Sequence, residues 1–504
     1  MMSKRILFVS DSLGTPIHAR GIFNFSYGVV QILSDLGFHI DLLVEPPSTG
    51  IFSHVSAKNA PALSSIQEVA LVTDIFRHFE GDRFRFDWHY PDSSFQRLCD
   101  QHRDLAEVQL GVEDSRRVAG QRKLRLKKEF LAEYIASGLT RHLNLFDGLL
   151  LSQAVYSESF RRSIHDLKPI IVDAAGYDFV FVDTPHAVDF INIENPAIAF
   201  VVHDVIPLFE ITMGYDWREM FVNKLSATAH AGRNGIFVSE TTRAYFTSLY
   251  EGMALNTSTI VYPPVRKEVV ENANAMGRRT VSDYIRGIED NKAAEFANYA
   301  HQQTSDTAAK TKGWNTGRGA TEVKDPTPRW NGSLPYFCTV LSDEPRKNIK
   351  VLVEASKRLV GRANIVVMGQ IDGNAHMDKK PEQHPNLHFT GYVSDAQKFD
   401  LLSACEAFIF PSFSEGFGIP IIEAALFGAP IICSDIPVFR EVTNGQAAFF
   451  DPSSPDDLVE KIESVLRDPN ARNDGEQLRQ FANQQFVQDT LKDRLAKVFQ
   501  RVGD

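Results

Sequence analysis

Two glutamates, Glu415 and Glu423, flank a glycine-containing turn in the stretch SEGFGIPIIEA. An apolar run typical of a buried strand precedes the turn, and a helical segment with Pro420 in its first turn follows it. The N–H groups ahead of a helix N-terminus, together with the helix dipole, favour an anion such as phosphate. Gly416 and Gly418 would let that anion approach the backbone closely.

The two carboxylates suit hydroxyl groups on either side of such a phosphate. A carboxylate accepts hydrogen bonds from two vicinal hydroxyls of one sugar, and a nucleotide sugar has a sugar on each side of its diphosphate. The plainer alternative is that Glu423 complements the helix dipole and that Glu415 is a solvated loop residue. The spacing favours a nucleotide-sugar site without requiring one.

A basic pair lies at the end of another apolar run, in YFCTVLSDEPRKN. Arg346 and Lys347 are suited to neutralise a diphosphate, the guanidinium as a fork and the ammonium as a point charge. The alternative is an ordinary surface pair at the start of a helix.

Polar residues also end apolar runs in the first half of the chain. His203, in AFVVHDVIPL, is placed to hydrogen-bond a transferred sugar or a leaving group, although neighbouring backbone would equally satisfy it. His186, in VDTPHAVD, is a weaker rival. Ser239, in FVSETT, is explained equally well by helix capping.

Length and composition limit the class of protein. The 504 residues are too many for one core, and 43% hydrophobic and 23% charged residues are ordinary for a globular protein. A net charge of −11 argues against a nucleic-acid partner. The four cysteines are scattered, which favours buried free thiols in a reducing compartment. No apolar run approaches the ~18 residues of a membrane span, and the first apolar run is too short for a signal peptide, so a cytoplasmic protein is predicted.

Short apolar runs alternate with helical segments from Arg5 onwards, and the same alternation restarts at Tyr336. This pattern predicts an α/β fold with two doubly wound, Rossmann-like domains, in which carboxyl ends of strands carry the polar residues above. The predicted parts are an N-terminal domain over 1–265 with an insertion at about 48–140, a polar linker over 266–333, a C-terminal domain over 334–485, and a helix over 486–504 that packs back toward the N-terminal domain.

A basic segment at 116–131 stands out in this acidic chain. Its sequence RRVAGQRKLRLKKEF has seven Lys or Arg residues between Arg116 and Lys128. One interpretation is a contact with an anionic membrane surface or a lipid phosphate. The other is a solvated helix whose basic residues pair with nearby glutamates.

Taken together, these features resemble the retaining glycosyltransferases of glycosyltransferase family 4. The motifs that carry the resemblance occur in the family's order and lie in about two-fifths of the chain: HDVIPL, FVSETT, YPPV, EPRKN, FTGYVSD and SEGFGIPIIEA. HDVIPL together with EPRKN is most similar to the bacterial mannosyltransferases of polysaccharide assembly. The resemblance implies the GT-B architecture, with two Rossmann-like domains facing across a cleft.

The resemblance implies a role for each matching residue. Glu415 would contact the donor sugar, Glu423 the nucleotide ribose, and Arg346 with Lys347 the diphosphate, while His203 would line the cleft. The remaining donor-binding residues would be Gly416, Phe417, Gly418 and Ile419 in the turn, Val393 beside the base, Ser239 near His203, and Gly14 under the diphosphate or the acceptor.

The family chemistry is transfer with retention at the anomeric carbon, in which the leaving phosphate accepts the proton of the acceptor. No cofactor or metal is expected, because the chain has no D-x-D pair and no cluster of ligands at metal-binding spacing. The chain departs from many relatives at Val340 and Leu341, where they have Gly-Arg. Neutralisation of phosphate would therefore depend on Arg346 and Lys347.

Other functions are weighed against this one. An NAD-dependent oxidoreductase would need GxGxxG after the first strand, where the chain reads SLGTPIHARG. A catalytically weak donor-binding subunit and a sugar-nucleotide isomerase of similar fold stay open. GDP-mannose is the favoured donor, with a UDP-sugar or dTDP-rhamnose behind it. The predicted acceptor is a glycan or lipid-linked oligosaccharide, consistent with a peripheral position on the inner face of the cytoplasmic membrane.

Overall fold

The structure is a computed structural model, which describes residues 4–11, 13, 21–45, 121–130, 141–152, 155–209, 215–276, 334–369, 371–377, 383–391, 393–468 and 471–500. It divides into two compact units. Unit 1 comprises Met1–Arg266, Glu415–Ile419 and Gln485–Asp504, and unit 2 comprises Lys267–Ser414 and Pro420–Gln484. Most of the predicted insertion and linker lies outside the described residues, and the domain limits drawn from the sequence stay predictions.

Unit 1 is built on an eight-stranded sheet with the order β10-β9-β8-β6-β1-β2-β4-β3, beside a separate parallel pair of β5 and β7. Leu7 is opposite Asp41 on one side and Val180 on the other, which fixes the parallel register at its centre. The strands are β1 (Arg5–Val9), β2 (His39–Val44), β3 (Gln121–Arg125), β4 (Gly148–Ser152), β5 (Ile170–Asp173), β6 (Phe179–Val182), β7 (Val188–Ile191), β8 (Ile198–Val202), β9 (Asn234–Phe237) and β10 (Thr257–Ile260).

The central strands of this sheet are apolar on both faces because helices cover both sides of a doubly wound sheet. Every residue of β4, β6, β8 and β9 is buried. The helices in this part of the chain are α1 (Gly21–Asp35), α2 (Val155–Ile164), α3 (Tyr215–Thr228) and α4 (Glu240–Leu249), with short 3-10 segments at Arg141–Leu145, Asn195–Ala197 and Ile206–Leu208.

Unit 2 is built on a six-stranded sheet, parallel throughout, with the order β13-β12-β11-β14-β15-β16. Its strands are β11 (Tyr336–Val340), β12 (Asn364–Met368), β13 (Leu387–Gly391), β14 (Phe408–Phe410), β15 (Ile431–Ser434) and β16 (Ala448–Phe450). Its helices are α5 (Lys267–Met276), α6 (Ile349–Arg358), α7 (Gly373–His376), α8 (Asp395–Ala404), α9 (Ile419–Leu426), α10 (Pro437–Val442), α11 (Pro455–Arg467) and α12 (Ala471–Gln485), and a 3-10 turn spans Pro345–Lys347. The first residue of α9 clusters with unit 1.

The last helix, α13 (Gln488–Gln500), belongs to unit 1. Its buried Phe499 places its ring 5.6 Å from that of Phe38 and 5.1 Å from that of Phe179. Gln488 Nε2 donates to Gln31 Oε1 on α1 at 2.6 Å. The helix is thereby fixed on unit 1 by aromatic packing and by a side-chain hydrogen bond.

Each sheet has a topological switch point, where the strand order changes direction. In unit 1 it lies between β1 and β6, and in unit 2 between β11 and β14. Ligands of open α/β sheets bind outside the carboxyl ends of the strands at such a point. The switch points therefore identify the loops from which a site in each unit has to be built.

Parts of the predicted elements need correction. The parallel strands predicted from the apolar runs are confirmed, but β5, β7 and β16 were not predicted. The helix considered for the basic segment is wrong at Gln121–Arg125, which form the antiparallel strand β3. The reason is a two-residue alternation that buries Leu124 and Leu126.

The two interpretations of the basic segment can be compared with the structure only over residues 121–130. Lys123 Nζ lies 3.0 Å from Asp41 Oδ2, so its partner is a buried aspartate and not a glutamate. Residues 116–120 and 131 lie outside the described residues. Within the described ranges, every helix falls short of the length and apolar character that crossing a bilayer requires.

Candidate functional site

Two loops of unit 2 lie side by side at its switch point, one after β11 and one after β14. Phe413 N donates to Arg346 O at 2.8 Å, and Arg346 Nη1 donates to Ser414 O at 3.2 Å. Asn348 Nδ2 donates to Pro411 O at 3.1 Å. These bonds tie the basic pair to the strand end that leads into the glycine turn.

Asn348 determines how the basic loop turns into a helix. It ends the Pro345–Lys347 turn and begins α6 in the left-handed conformation, with φ 56° and ψ 44°. Its buried amide also donates to Pro452 O at 2.8 Å. Asparagine tolerates the left-handed conformation better than most residues. It is therefore suited to this position, where the chain passes from the turn that contains Lys347 into the first residue of α6.

The two basic residues of this loop have different surroundings. Arg346 Nε donates to Glu344 Oε2 at 2.8 Å, and Ser342 Oγ donates to Glu344 Oε1 at 2.7 Å. Burial opposes ionisation of Glu344, but the Arg346 guanidinium and the Ser342 hydroxyl keep the pKa of that carboxyl below its ordinary value. Lys347 Nζ lies 5.4 Å from the ring centre of Phe410, at the end of β14. Arg346 organises the loop, and Lys347 supplies charge at the switch point.

Glu423 lies on α9 and is buried, with 6% of the residue exposed. Lys398 Nζ on α8 lies 3.0 Å from Glu423 Oε2. The start of α8 is fixed by a capping box, in which Ser394 Oγ accepts from Gln397 N and Gln397 Oε1 accepts from Ser394 N. Val393, which is predicted to lie beside the base, directly precedes that cap. Lys398, the partner of Glu423, lies in the helix that begins there.

The glycine turn Glu415–Ile419 clusters with unit 1. Gly416 O accepts a hydrogen bond from Ser239 Oγ at 2.9 Å. A Cβ at Gly416 would lie 2.1 Å from His203 O, so only glycine fits there, and Gly418 has a φ of +106°. Both glycines are therefore required by the fold of the turn itself, and the close approach of an anion that the sequence predicted there stays a prediction.

Phe417 packs into a buried aromatic cluster in unit 1. Its ring centre lies 5.7 Å from that of Tyr262 and 5.5 Å from that of Phe486, and the latter two lie 5.1 Å apart. The side chain of Phe417 therefore anchors the turn, which leaves its backbone N–H as the group to consider for a ligand.

His203 is oriented by backbone and by an aromatic ring. Its Nε2 lies 2.8 Å from Asp183 O, and its ring meets that of Phe25 edge-on with centres 4.9 Å apart. Since a carbonyl only accepts, Nε2 is protonated, and Nδ1 is the acceptor of the neutral ring. Burial lowers the pKa of His203 to about 4, although the bond to Asp183 O acts in the opposite direction.

Asp183 is the centre of a buried polar group at the unit 1 switch point. Its carboxyl accepts from Ser26 Oγ at 2.6 Å and from Thr184 Oγ1 at 3.1 Å. His186 Nε2 lies 3.0 Å from Thr184 Oγ1. Burial, with the nearby Asp11 charge, raises the pKa of Asp183 to about 7, and burial lowers the pKa of His186 to about 4.

The predicted site residues thus fall into two groups. Arg346, Lys347, Glu423 and Val393 belong to unit 2, where the basic pair contacts the loop after β14 and Glu423 contacts Lys398. The residues that belong to unit 1 are His203, Ser239, Glu415, Gly416, Phe417, Gly418 and Ile419. Gly14 lies outside the described residues. Ser239 caps α4, accepting from Thr242 N at 3.0 Å, and contacts Gly416 as well.

Sequence reasoning missed three residues that hold the others in place. Asp183 follows directly on the apolar run of β6, a position typical of functional residues in such sheets. Asn348 follows the basic pair and precedes a helix. Lys398 gave no comparable signal, because its pairing with a residue 25 positions later depends on the tertiary fold. Within the described ranges, no His, Cys, Asp and Glu side chains form a group of three placed to bind a metal ion.

Comparison with known proteins identifies a matching family and several curated relatives. Residues 321–484 match the family of glycosyl transferases group 1. The chain is 31% identical over 151 residues to O-antigen chain mannosyltransferase B of Escherichia coli, which covers 28% of this chain and 39% of that protein. It is 33% identical over 140 residues to O-antigen chain mannosyltransferase RfbU of Salmonella typhimurium, covering 27% and 40%. The matches thus span about two-fifths of the length of these relatives, and they confirm the family resemblance drawn from the motifs.

A solved structure shares the fold over nearly the whole chain. The sucrose-phosphate synthase of Thermosynechococcus elongatus matches with a TM-score of 0.54 and 13% identity, covering 99% of each chain. At that identity the likeness is informative about the fold alone. It confirms the predicted GT-B class, an α/β fold with two Rossmann-like parts.

Proposed function

Starting from the group 1 glycosyl transferase segment at 321–484, we propose that the protein transfers a hexose from a nucleotide-diphosphate sugar to a glycan or lipid-linked acceptor. Mannose is the favoured hexose and polysaccharide biosynthesis the favoured context, since the relatives above are O-antigen mannosyltransferases. The observation that carries the proposal is the unit 2 switch point, where Lys347 lies at the end of β14 and Glu423 follows in the next helix.

The donor is proposed to bind unit 2 in an orientation that these side chains dictate. Lys347 neutralises the diphosphate, and Arg346 holds the loop that presents Lys347 through its bonds to Glu344 and Ser414. Glu423 accepts from the ribose hydroxyls, and the segment at Val393 lies beside the base. GDP-mannose is the favoured donor, with UDP-sugars and dTDP-rhamnose as alternatives.

The proposed chemistry is a retaining, metal-independent transfer. Positive charge for the leaving diphosphate comes from Lys347, and the leaving phosphate takes the proton of the acceptor hydroxyl. Glu415 contacts the donor sugar, and the neutral ring of His203 presents Nδ1 as an acceptor for a sugar hydroxyl. The neutral state at pH 7 follows from the lowered pKa of His203.

The protein is further proposed to act in the cytoplasm, with a peripheral contact to the membrane through 116–131. Leu124 and Leu126 are buried, and the exposed Arg125 lies on the opposite side of the strand together with Lys123. Because Lys123 pairs with Asp41, the proposed contact depends on Arg125 and the other basic residues of the segment. Electrostatic attraction to anionic lipid would contribute ~1 kcal/mol per basic residue near the surface.

A thermal-shift panel with GDP, UDP, dTDP, ADP and NAD tests the proposal first. A diphosphate at about 100 times its dissociation constant stabilises the folded state by about 2.7 kcal/mol, a rise of a few degrees in Tm. We expect one nucleoside diphosphate to stabilise the wild type and Lys357→Ala, an exposed-lysine control, but not Lys347→Ala. Stabilisation by NAD alone, or an equal response of Lys347→Ala, contradicts the proposal.

Product analysis then tests the finer statements. The nucleotide identified by the panel is supplied as its hexose donor, and NMR of the product reads the anomeric configuration. Retention gives the configuration of the donor, and activity that persists in excess EDTA supports metal independence. An inverted product or loss of activity in EDTA overturns the corresponding statement.

A further inference from the structure

We infer that Lys398 is a positioning residue for the donor, which orients Glu423 so that its carboxylate recognises the ribose of a nucleoside diphosphate. The inference rests on the proposed function, in which Glu423 accepts from the ribose. It assigns a role to a residue outside the motifs that carry the family resemblance.

The first support is the geometry of the buried pair. Lys398 Nζ lies 3.0 Å from Glu423 Oε2, and the two side chains are 13% and 8% exposed. A buried carboxylate needs a compensating charge, and removing one partner leaves the other charge desolvated. Lys398 therefore holds the carboxyl group of Glu423 in one orientation, which an exposed pair would not do.

The second support is the state of the other carboxylate oxygen. Glu423 Oε1 pairs with no described residue, yet it is not among the buried side-chain atoms of the described chain that lack a partner. It therefore keeps access to solvent while Oε2 is held by Lys398. One oxygen held and the other accessible is the arrangement that a carboxylate needs in order to accept from ligand hydroxyls.

The third support is that Lys398 itself is held in place. It lies in the first turns of α8, whose start is fixed by the capping box of Ser394 and Gln397. Asp395 Oδ1 lies 3.4 Å from its ammonium on the other side. Since Val393 adjoins the cap, the backbone predicted beside the base and the ammonium that holds Glu423 share one rigid segment.

The test measures the preference for ribose by titration calorimetry of the full-length protein with GDP and with 2′,3′-dideoxy-GDP. Because hydrogen bonds to a charged group are among the stronger ones, we expect the wild type to bind GDP about 10- to 100-fold more tightly than the dideoxy form. In Lys398→Met the preference should fall to within about threefold, through loss of affinity for GDP alone. Glu423→Gln should lose it equally, and the double variant should lose nothing more.

The matched control is Lys357→Met. Lys357 also pairs with a glutamate in unit 2, at 2.8 Å from Glu354, but both side chains are more than 40% exposed. This variant should keep the wild-type preference. Lys398→Arg, which retains the charge, should recover part of it. In steady-state assays Lys398→Met should raise KM for the donor about tenfold, with kcat within about twofold.

The outcomes separate the inference from the function on which it depends. Because the preference is a ratio within one variant, a reduced folded fraction does not change it. If Lys398→Met keeps the wild-type preference, the inference is wrong and the proposed function stands. If the wild type binds neither GDP nor the UDP, dTDP and ADP of the panel, the proposed function fails and takes the inference with it.

Discussion

The two switch points of this protein follow one topological rule and are chemically opposite. Between β11 and β14, the polar residues are charged, and Arg346, Glu344 and Lys347 form a loop of neighbouring opposite charges. Between β1 and β6, the buried His186 and Asp183 are joined in series through the half-buried Thr184. One edge concentrates fixed charge, and the other shifts titrating groups toward their neutral forms.

The difference indicates which kind of ligand each edge suits. A loop that presents an ammonium beside backbone amides is adapted to an anion. An edge whose histidines are neutral at pH 7 is adapted to hydroxyl groups, which need hydrogen-bond partners and no net charge. On the proposed function, unit 2 would bind the diphosphate and unit 1 would bind sugar hydroxyls, and each of these two proposals can be tested separately.

The largest expected effect comes from removing the charge in unit 2. Lys347→Ala should lower kcat by about 10²–10³, or about 3–4 kcal/mol of transition-state stabilisation, as loss of a preorganised electrostatic group does elsewhere. Lys350→Ala is the matched control, since Lys350 is exposed on the first turn of α6. Steady-state rates of both variants decide the matter, and a loss of similar size in Lys350→Ala would show that general charge, and not the position of Lys347, is responsible.

The next effect concerns the backbone that presents this charge. Asn348→Ala removes two hydrogen bonds to Pro411 O and Pro452 O and leaves alanine in the left-handed region, which should cost about 2–3 kcal/mol. Asn444→Ala makes the same conformational change, from φ 51°, at an exposed position, and should cost about 1 kcal/mol. Urea unfolding measures both. Equal losses of stability in the two variants would mean that the hydrogen bonds of the Asn348 side-chain amide make no net contribution to the free energy of unfolding.

The third effect tests the neutral edge of unit 1 through pH. Because burial raises the pKa of Asp183 to about 7 from 3.8, the folded state holds one proton more than the unfolded state between those values. The contribution of Asp183 to the free energy of unfolding is fully present below pH ~3.8. It is lost as pH rises through 7, at up to about 1.4 kcal/mol per pH unit. Asp183→Asn has no such proton. The wild-type stability minus that of the variant should therefore fall between pH 5 and 7.

The histidines act with the opposite sign. His186 and His203 have pKa values lowered to about 4 from 6.5, so the unfolded state binds more protons and stability falls as pH drops from 6.5 toward 4. The wild type and Asp183→Asn both carry these histidines, so the difference in stability between the two proteins reports the titration of Asp183 alone. Urea titrations at pH 5, 6, 7 and 8 provide the measurement, and a difference that does not change with pH would show that Asp183 is already ionised.

The smallest effect separates capping from function at Ser239. Ser239→Ala should cost about 1 kcal/mol of stability through loss of the N-cap, and several-fold in activity because Gly416 O loses the shorter of its two hydroxyl hydrogen bonds, at 2.9 Å, and keeps the one from Thr242 Oγ1 at 3.3 Å. Ser454→Ala removes an equivalent cap from α11 and should cost the same stability with no change in activity. If the two variants retain equal activity, Ser239 is a structural cap alone.

The sequence was sufficient wherever a residue's role follows from its neighbours in the chain. The glycine turn is an example, because its position between a strand and a helix with proline in its first turn is visible locally. The parallel strands were also predictable, since burial on both faces leaves continuous apolar runs.

The rest depends on contacts that no local pattern encodes. The ring tautomer of His203 is set by a carbonyl 20 residues earlier, and the orientation of Glu423 is set by Lys398 on another helix. The helix prediction for the basic segment was wrong because basic composition does not distinguish a helix from a strand. Only the alternation that buries Leu124 and Leu126 indicates a strand.

The buried thiols of unit 2 make the molecule its own reporter of opening. Cys338, Cys405 and Cys433 are free and buried, and burial raises the pKa of Cys338 and Cys433. The thiolate is the reactive species, so alkylating reagents reach these residues only when unit 2 opens. In a Cys99→Ser variant, the rate of alkylation would therefore measure how often unit 2 opens. A bound donor should lower that rate in proportion to the fraction of protein that it occupies.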